Sequence, residues 1–252
     1  MNLAISNFTD RPLFEPILPS LHLFGDRKHL PSIEELNAVL NIEQIRFVPE
    51  GPVSADFNDG YEPRIFLRNE VQTRDNCWHD FFNALVWHRF AKTKRAINYL
   101  HYHLQKSRYP SKHRLPAENL LTLFDENGVV IIARDPKLLD LIRAHEWHTL
   151  FWQQRAYIQE HTRVVVIGHA LYEKALRPYI GMTANGLLFE STNLCSDTVD
   201  SLVAEFLLNK NTRLRPKDLS PLPILGMPGW HAQNENESFY ANKDYFRPAR
   251  HS

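Results

Sequence analysis

The stretch from Asp75 to Gln105 constrains this chain more than any other, because its apolar residues demand a partner layer. Trp78, Phe81, Phe82, Leu85 and Val86 recur at helical spacing. The pattern predicts a long helix that opens at Asp75 or Asn76, either of which can cap it, and reaches Gln105. At 3.6 residues per turn, Asn76, Asp80, Asn83 and Trp87 fall within about 60° of one another on the opposite side, with His79 beside them. A solvated helix face rarely carries tryptophan, so this stripe is expected to line a cleft or a buried polar seam.

Weaker signals fill in the rest. Ser32 and Glu35 make a capping box for a helix over 32–40, and Ile45–Val48 is strand-like. Residues 120–133, LLTLFDENGVVIIA, read as a β-hairpin turning at Asp125-Glu126-Asn127-Gly128. Asp135-Pro136 opens a second helix that can extend to Gln159. Arg163–Ile167 is a buried strand, Gly168-His169 leads into a short helix ending before Pro178, and Thr198–Leu208 is a further helix. Residues 1–31 read as an extended arm over the surface. Residues 216–252 read as a tail that wraps the body through Trp230, Phe239, Tyr240, Tyr245 and Phe246. The expectation is a single α+β domain over 1–252. Its small sheet, the hairpin near 120–133 and the strand near 163–167, is packed by helices and flanked by extended N- and C-terminal arms.

Composition narrows the class. With 29 basic residues against 29 acidic and 43% hydrophobic content, the chain is built to fold and not to stay disordered. No apolar run approaches the ~18 residues of a membrane helix. The opening MNLAISNFTDRPLFEPILP has neither a basic n-region nor an apolar core, and Cys77 and Cys195 are too few for a disulfide scaffold. A cytoplasmic globular protein without a membrane partner is expected.

The charge is unevenly placed. No acidic residue occurs between Asp80 and Glu118, an interval that holds Arg89, Lys92, Lys94, Arg95, Lys106, Arg108, Lys112 and Arg114. Tyr99, Tyr102 and Tyr109 are interleaved with them. Such a block can be a solvated helix face, or it can grip nucleic acid or an acidic partner.

Several phrases together look familiar: YEPRI (61–65), TRDNCWHDFFNALVW (73–87), LTLFDENGVV (122–130), GHALYEK (168–174) and LPILGMPGW (222–230). In their order and in WHDxFNALVW they resemble the proteobacterial family known as domain of unknown function 3025. Two positions depart from the pattern, Val71-Gln72-Thr73-Arg74 and Phe90-Ala91, and neither holds a residue that does chemistry. The resemblance covers most of the chain and implies no activity.

Chemistry must therefore be argued from the residues. His79 and Asp80 offer a base or metal ligands, with Asn83 as an orienting amide; tying down neighbouring loops, Asp80 through Arg74, is the plainer role. His169 follows a strand end and begins a helix, where Glu173 lies one turn on as its orienting carboxylate. Convergence of His79, Asp80, Asn83, His169 and Glu173 would make a hydrolase acting on nucleic acid or a phosphate ester, with His79, Asp80 and His169 holding a divalent metal. The alternative is a non-enzymatic binder working through the basic block. His145 and His148 lack the zincin spacing and read as packing residues. Phosphate-loop, dinucleotide-binding and nucleophile-elbow motifs are missing, so no nucleotide, flavin or nicotinamide cofactor is indicated.

Overall fold

The N-terminal segment enters the core instead of lying over it. In the computed structural model, which describes residues 8–27, 29–52 and 54–249, a 3-10 turn over Pro12–Ile17 passes into α1 (Leu18–His22). Phe8, Phe14, Ile17 and Leu21 are fully buried there. The expected extended arm is thus corrected: Phe14, Ile17 and Leu21 follow a helical period and bury one face. Residues 1–7 and Lys28 of that arm lie outside the described residues.

Ser32 and Glu35 cap α2 (Ile33–Leu40) reciprocally, side chain to backbone in both directions. β1 (Arg46–Pro49) pairs in parallel with β2 (Glu70–Thr73), and α3 (Tyr61–Arg68) lies between them in the chain. The long helix expected from Asp75 to Gln105 is two helices, α4 (Trp78–Arg89) and α5 (Ala91–Arg108). Phe90 leaves helical geometry at φ −126°, ψ 50°, and its ring is buried at the break. Asn76 takes φ 52°, and Cys77, not Asp75 or Asn76, is the N-cap.

The hairpin at 120–133 is overturned. Pro116 and Glu118 start α6 (Pro116–Asn127), which runs without a loop into β3 (Gly128–Ala133). Leu120, Leu121 and Phe124 form one buried face at helical spacing, so a 3.6 period prevails over the turn signal of Asn127-Gly128. The helix expected over 136–159 is likewise interrupted. It divides into α7 (Pro136–Arg143), a π turn over Thr149–Gln153, and α8 (Arg155–His161), with His145 at φ 56° in the break. β4 (Thr162–Val166), α9 (His169–Ala175), β5 (Thr183–Glu190), α10 (Val199–Lys210) and β6 (Ser220–Pro223) complete the order.

Among the described residues the larger sheet runs β4-β3-β5-β6. β3 is central, antiparallel to β4 through Val130↔Val165 and parallel to β5 through Val130↔Leu187. All six of its residues are buried, which accounts for the unbroken apolar run GVVIIA. The tail adds β6 at the sheet edge and then packs Tyr240, Tyr245 and Phe246 into the same core that begins at Phe8. The class is α+β, two small sheets packed by helices. No helix among the described residues is long and apolar enough to cross a membrane.

Candidate active site

Gly128 and Gly168 hold two joints of the chain together. The carbonyl oxygen of Gly128 accepts hydrogen bonds from the amides of Ile167 at 3.0 Å and Gly168 at 2.8 Å. A Cβ on Gly168 would lie 2.4 Å from the Gly128 nitrogen, and one on Gly128 would lie 2.2 Å from the Phe124 carbonyl oxygen. Gly168 has an ordinary φ of −64°, so close approach and not an unusual turn demands glycine there. The last turn of α6, with Asp125 and Glu126, is thereby set against His169 at the start of α9. Helix α4 packs on α9 and supplies His79.

The side chains meet closely. Nε2 of His79 lies 3.0 Å from Nε2 of His169. The Glu126 carboxylate stands 4.0 Å from the first ring through Oε2 and 3.8 Å from the second through Oε1. Nδ1 of His79 donates to Oε2 of Glu173 at 2.9 Å. Nδ1 of His169 is buried without a hydrogen bond and faces Oδ2 of Asp125 at 3.8 Å. Burial pushes His169 down to about 3, with Lys94 and His79 acting in the same direction against Asp125, so this ring is neutral at physiological pH. Burial, helped by Asp125, holds the Glu126 carboxyl above its ordinary range despite His79.

This geometry is compatible with a bound cation. With both Nδ1 atoms protonated toward the carboxylates, the Nε2 lone pairs converge at 3.0 Å. A proton between the rings would satisfy the imidazoles alone. A metal ion would use Glu126 as well, and His79, Glu126 and His169 each offer a ligand atom within 4.8 Å of the others. Two nitrogens bound at 2.0–2.1 Å on adjacent positions of one ion sit about 3 Å apart. The Glu173 carboxylate behind His79 is the orienting partner that metal-bound imidazoles ordinarily have.

Asp80 is not in this cluster. Its carboxylate accepts from the Arg74 amide at 2.6 Å and from the guanidinium through two bonds of 2.9 Å. Burial alone would raise the Asp80 carboxyl; Arg74 outweighs it and holds it low. Of the two readings of Asp80, the contacts are those of the plainer one, a lock between the end of β2 and α4 through Arg74. Asn83 donates through Nδ2 to the Tyr61 hydroxyl at 3.1 Å. His79, Asp80, Asn83 and His169 all line one cavity of about 350 Å³, together with Tyr61, Glu62, His101, Asp125 and Glu126. Glu173 touches His79 from outside that lining.

The basic block does not form a continuous exposed face. Lys94 is buried, donates to Oδ1 of Asp125 at 2.5 Å and lies 5.5 Å from the Trp87 ring. Arg89 pairs with Asp197, Arg108 grips Glu118 through two bonds, and Arg95 donates to the Glu43 carbonyl. Arg114 bonds to the Glu118 carbonyl and to Thr122, and Lys106 and Lys92 reach the hydroxyls of Tyr102 and Ser201. Lys112 is exposed. The local gap in acids is filled by carboxylates from distant segments. His145 stacks on Trp147, while His148 pairs with Glu237, so they share no site.

Glu126 is the residue that sequence reasoning missed. Reading LLTLF with a helical period would have placed it on a helix end and not in a turn. Tyr61, Glu62 and His101 carry no local signal of their own, although Tyr61 and Glu62 stand in the phrase YEPRI.

A family model described as a protein of unknown function (DUF3025) matches residues 45–250, and the chain belongs to that family. Neither the curated proteins nor the solved structures contain a match to it. The phrases YEPRI, TRDNCWHDFFNALVW, LTLFDENGVV and GHALYEK, which carry the family resemblance, all contribute to the lining of the one cavity.

Proposed function

We propose that this member of the DUF3025 family is a metal-dependent hydrolase whose His79, Glu126 and His169 hold one divalent cation. The observation that carries the reading is the 3.0 Å approach of two imidazole Nε2 atoms beside a carboxylate, each ring backed by a second carboxylate. A cation held there supplies charge for a developing oxyanion and makes water acidic enough to act as a nucleophile at neutral pH. The chain's own groups then divide the work. Glu173 fixes the tautomer of His79, the Lys94–Asp125 pair steadies the environment of His169, and Asn83 with Tyr61 presents hydrogen-bonding groups to a substrate in the cavity.

A nucleic-acid or phosphate-ester substrate has less support than the hydrolytic site itself. The basic residues that would hold a polyanion are mostly spent on internal partners. Glu50, Glu62, Asp80, Asp125 and Glu126 line the cavity.

Protein stripped with a chelator and titrated with Zn²⁺ or Mn²⁺ should take up one equivalent. His79→Ala and His169→Ala should each abolish that uptake, and Asp80→Asn should not. Failure of the wild-type protein to bind either ion would sink the metal reading and leave a proton-sharing histidine pair in its place.

A further inference from the structure

One turn of α4 beyond His79, the cavity wall carries polar atoms with no partner. Asn83 and His101 line the cavity and are 6% and 3% exposed. Oδ1 of Asn83 and Nδ1 of His101 are buried and make no hydrogen bond. Glu62 is held by Asn98 through Oε2, at 2.7 Å. The Tyr61 hydroxyl accepts from Asn83 and keeps its own proton as a donor, although the residue as a whole is 40% exposed. Buried polar atoms are nearly always paired, so orphans gathered on the wall of an open cavity point to a ligand that completes them.

The charge of the wall narrows the class. Five carboxylates line the cavity against Arg74, which is itself bound to Asp80, while Lys94 stands behind Asp125. An anionic group such as phosphate would meet repulsion. An amide matches what is present: its N–H supplies the donor that Asn83 Oδ1 lacks, and its carbonyl can accept from the Tyr61 hydroxyl.

We infer that Tyr61, Glu62, Asn83 and His101 form the substrate-recognition wall of this cavity, and that they read an uncharged amide or a similar N–H-bearing group. The inference rests on the hydrolase reading above only for the position of the reacting bond, beside His79 and His169. The wall itself is defined by its unpaired atoms. Its Asn83 stands four residues from His79, about 6 Å along the α4 axis, so recognition and reaction fall on neighbouring groups of one small molecule.

The full-length protein loaded with Co²⁺ is titrated with acetohydroxamate, N-methylacetohydroxamate and acetate, following the visible spectrum of the ion. Acetate reports the metal centre alone. Acetohydroxamate, which keeps its N–H, should bind about ten-fold more tightly than the N-methyl compound, the loss expected when a buried acceptor is left without a donor. Asn83→Leu and His101→Gln should erase that preference while leaving acetate affinity and Co²⁺ stoichiometry unchanged, which also reports that the variants fold. Equal affinity for the two hydroxamates in the wild type, or a preference that survives both substitutions, overturns the inference. Protein that takes up no Co²⁺ instead overturns the metal reading. The wall is then decided by saturation-transfer NMR with acetamide: binding lost in Asn83→Leu supports it, and no binding overturns it.

Discussion

His79 and His169 bring their Nε2 atoms to 3.0 Å across ninety residues of sequence. Neither residue is placed by its own neighbours in the chain. His79 rides on α4, whose apolar side is buried against Phe8, Phe14 and Tyr172, and His169 sits where β4 turns into α9 against the Gly128 backbone. Two packing requirements that have nothing to do with chemistry thus aim the rings at each other.

Glu173 orients His79 without lining the cavity, and its side chain is 45% exposed. Glu173→Gln should therefore leave stability nearly unchanged and weaken metal affinity about 10–100-fold, the range for loss of a carboxylate behind a liganding imidazole. Competition with a chromogenic chelator measures it. Unaltered affinity would remove Glu173 from the site.

Gly168→Ala tests the joint that carries His169. The added methyl would start 2.4 Å from the Gly128 nitrogen, a backbone atom that cannot swing away. Metal uptake should fall together with thermal stability. A variant that folds and binds the ion as the wild type does would show that the joint has room to spare.

Lys94 and Asp125 form an ion pair whose side chains are 4% and 18% exposed. Lys94→Met should cost about 3–5 kcal/mol in urea unfolding, because it leaves a buried carboxylate without its partner. Adding Asp125→Asn should recover most of that loss. Simple additivity of the two changes would mean that the pair is not coupled.

Phe82 is fully buried and packs against Phe8, Phe14, Trp78 and Tyr172. Phe82→Ala should destabilise the fold by about 3–5 kcal/mol, as buried aromatic truncations do. A change within experimental noise would mean that this aromatic cluster repacks freely.

Glu118 ties the start of α6 to α5. Burial alone would raise its carboxyl, but Arg108 and the Leu115 amide outweigh burial and hold it below the ordinary glutamate value. Its stabilising contribution is therefore complete above the unfolded carboxyl's titration, centred at about pH 4.3, and is lost as pH falls through the lowered native value. Glu118→Gln should reduce stability at neutral pH and flatten the fall in stability between neutral and strongly acidic pH. An unchanged acid slope would rule out this pair as a source of acid sensitivity.

What the chain declares locally it declares well. Ser32 and Glu35 cap α2 as read, the α10 segment is helical as read, and the apolar faces of α4 and β4 are those that their spacing predicts. Periodicity and capping depend on residues within a turn or two, so they survive in one dimension. The misreadings are of two kinds. At Asn127-Gly128 a short turn signal outweighed a helical period in the preceding residues, and Gly128 turned out to be needed for backbone contact. At Phe90 a buried ring sits at a break in a helix that local pattern would have continued, and at His145 the backbone turns left-handed ahead of the buried Trp147.

The site divides along the same line. The sequence alone picked out His79, Asp80, Asn83, His169 and Glu173, because a polar stripe opposite an apolar face and a histidine at a strand-to-helix joint are local patterns. It also marked the basic block, since charge spacing is local. Only the tertiary structure decided that Asp80 belongs to Arg74, that Glu126 stands at the imidazole pair, and that Lys94, Arg89 and Arg108 are used up by Asp125, Asp197 and Glu118. The reason is physical: a charge chooses its partner by distance through space, and that distance is set by how α4, α6 and α9 pack around β3, which no window of sequence contains.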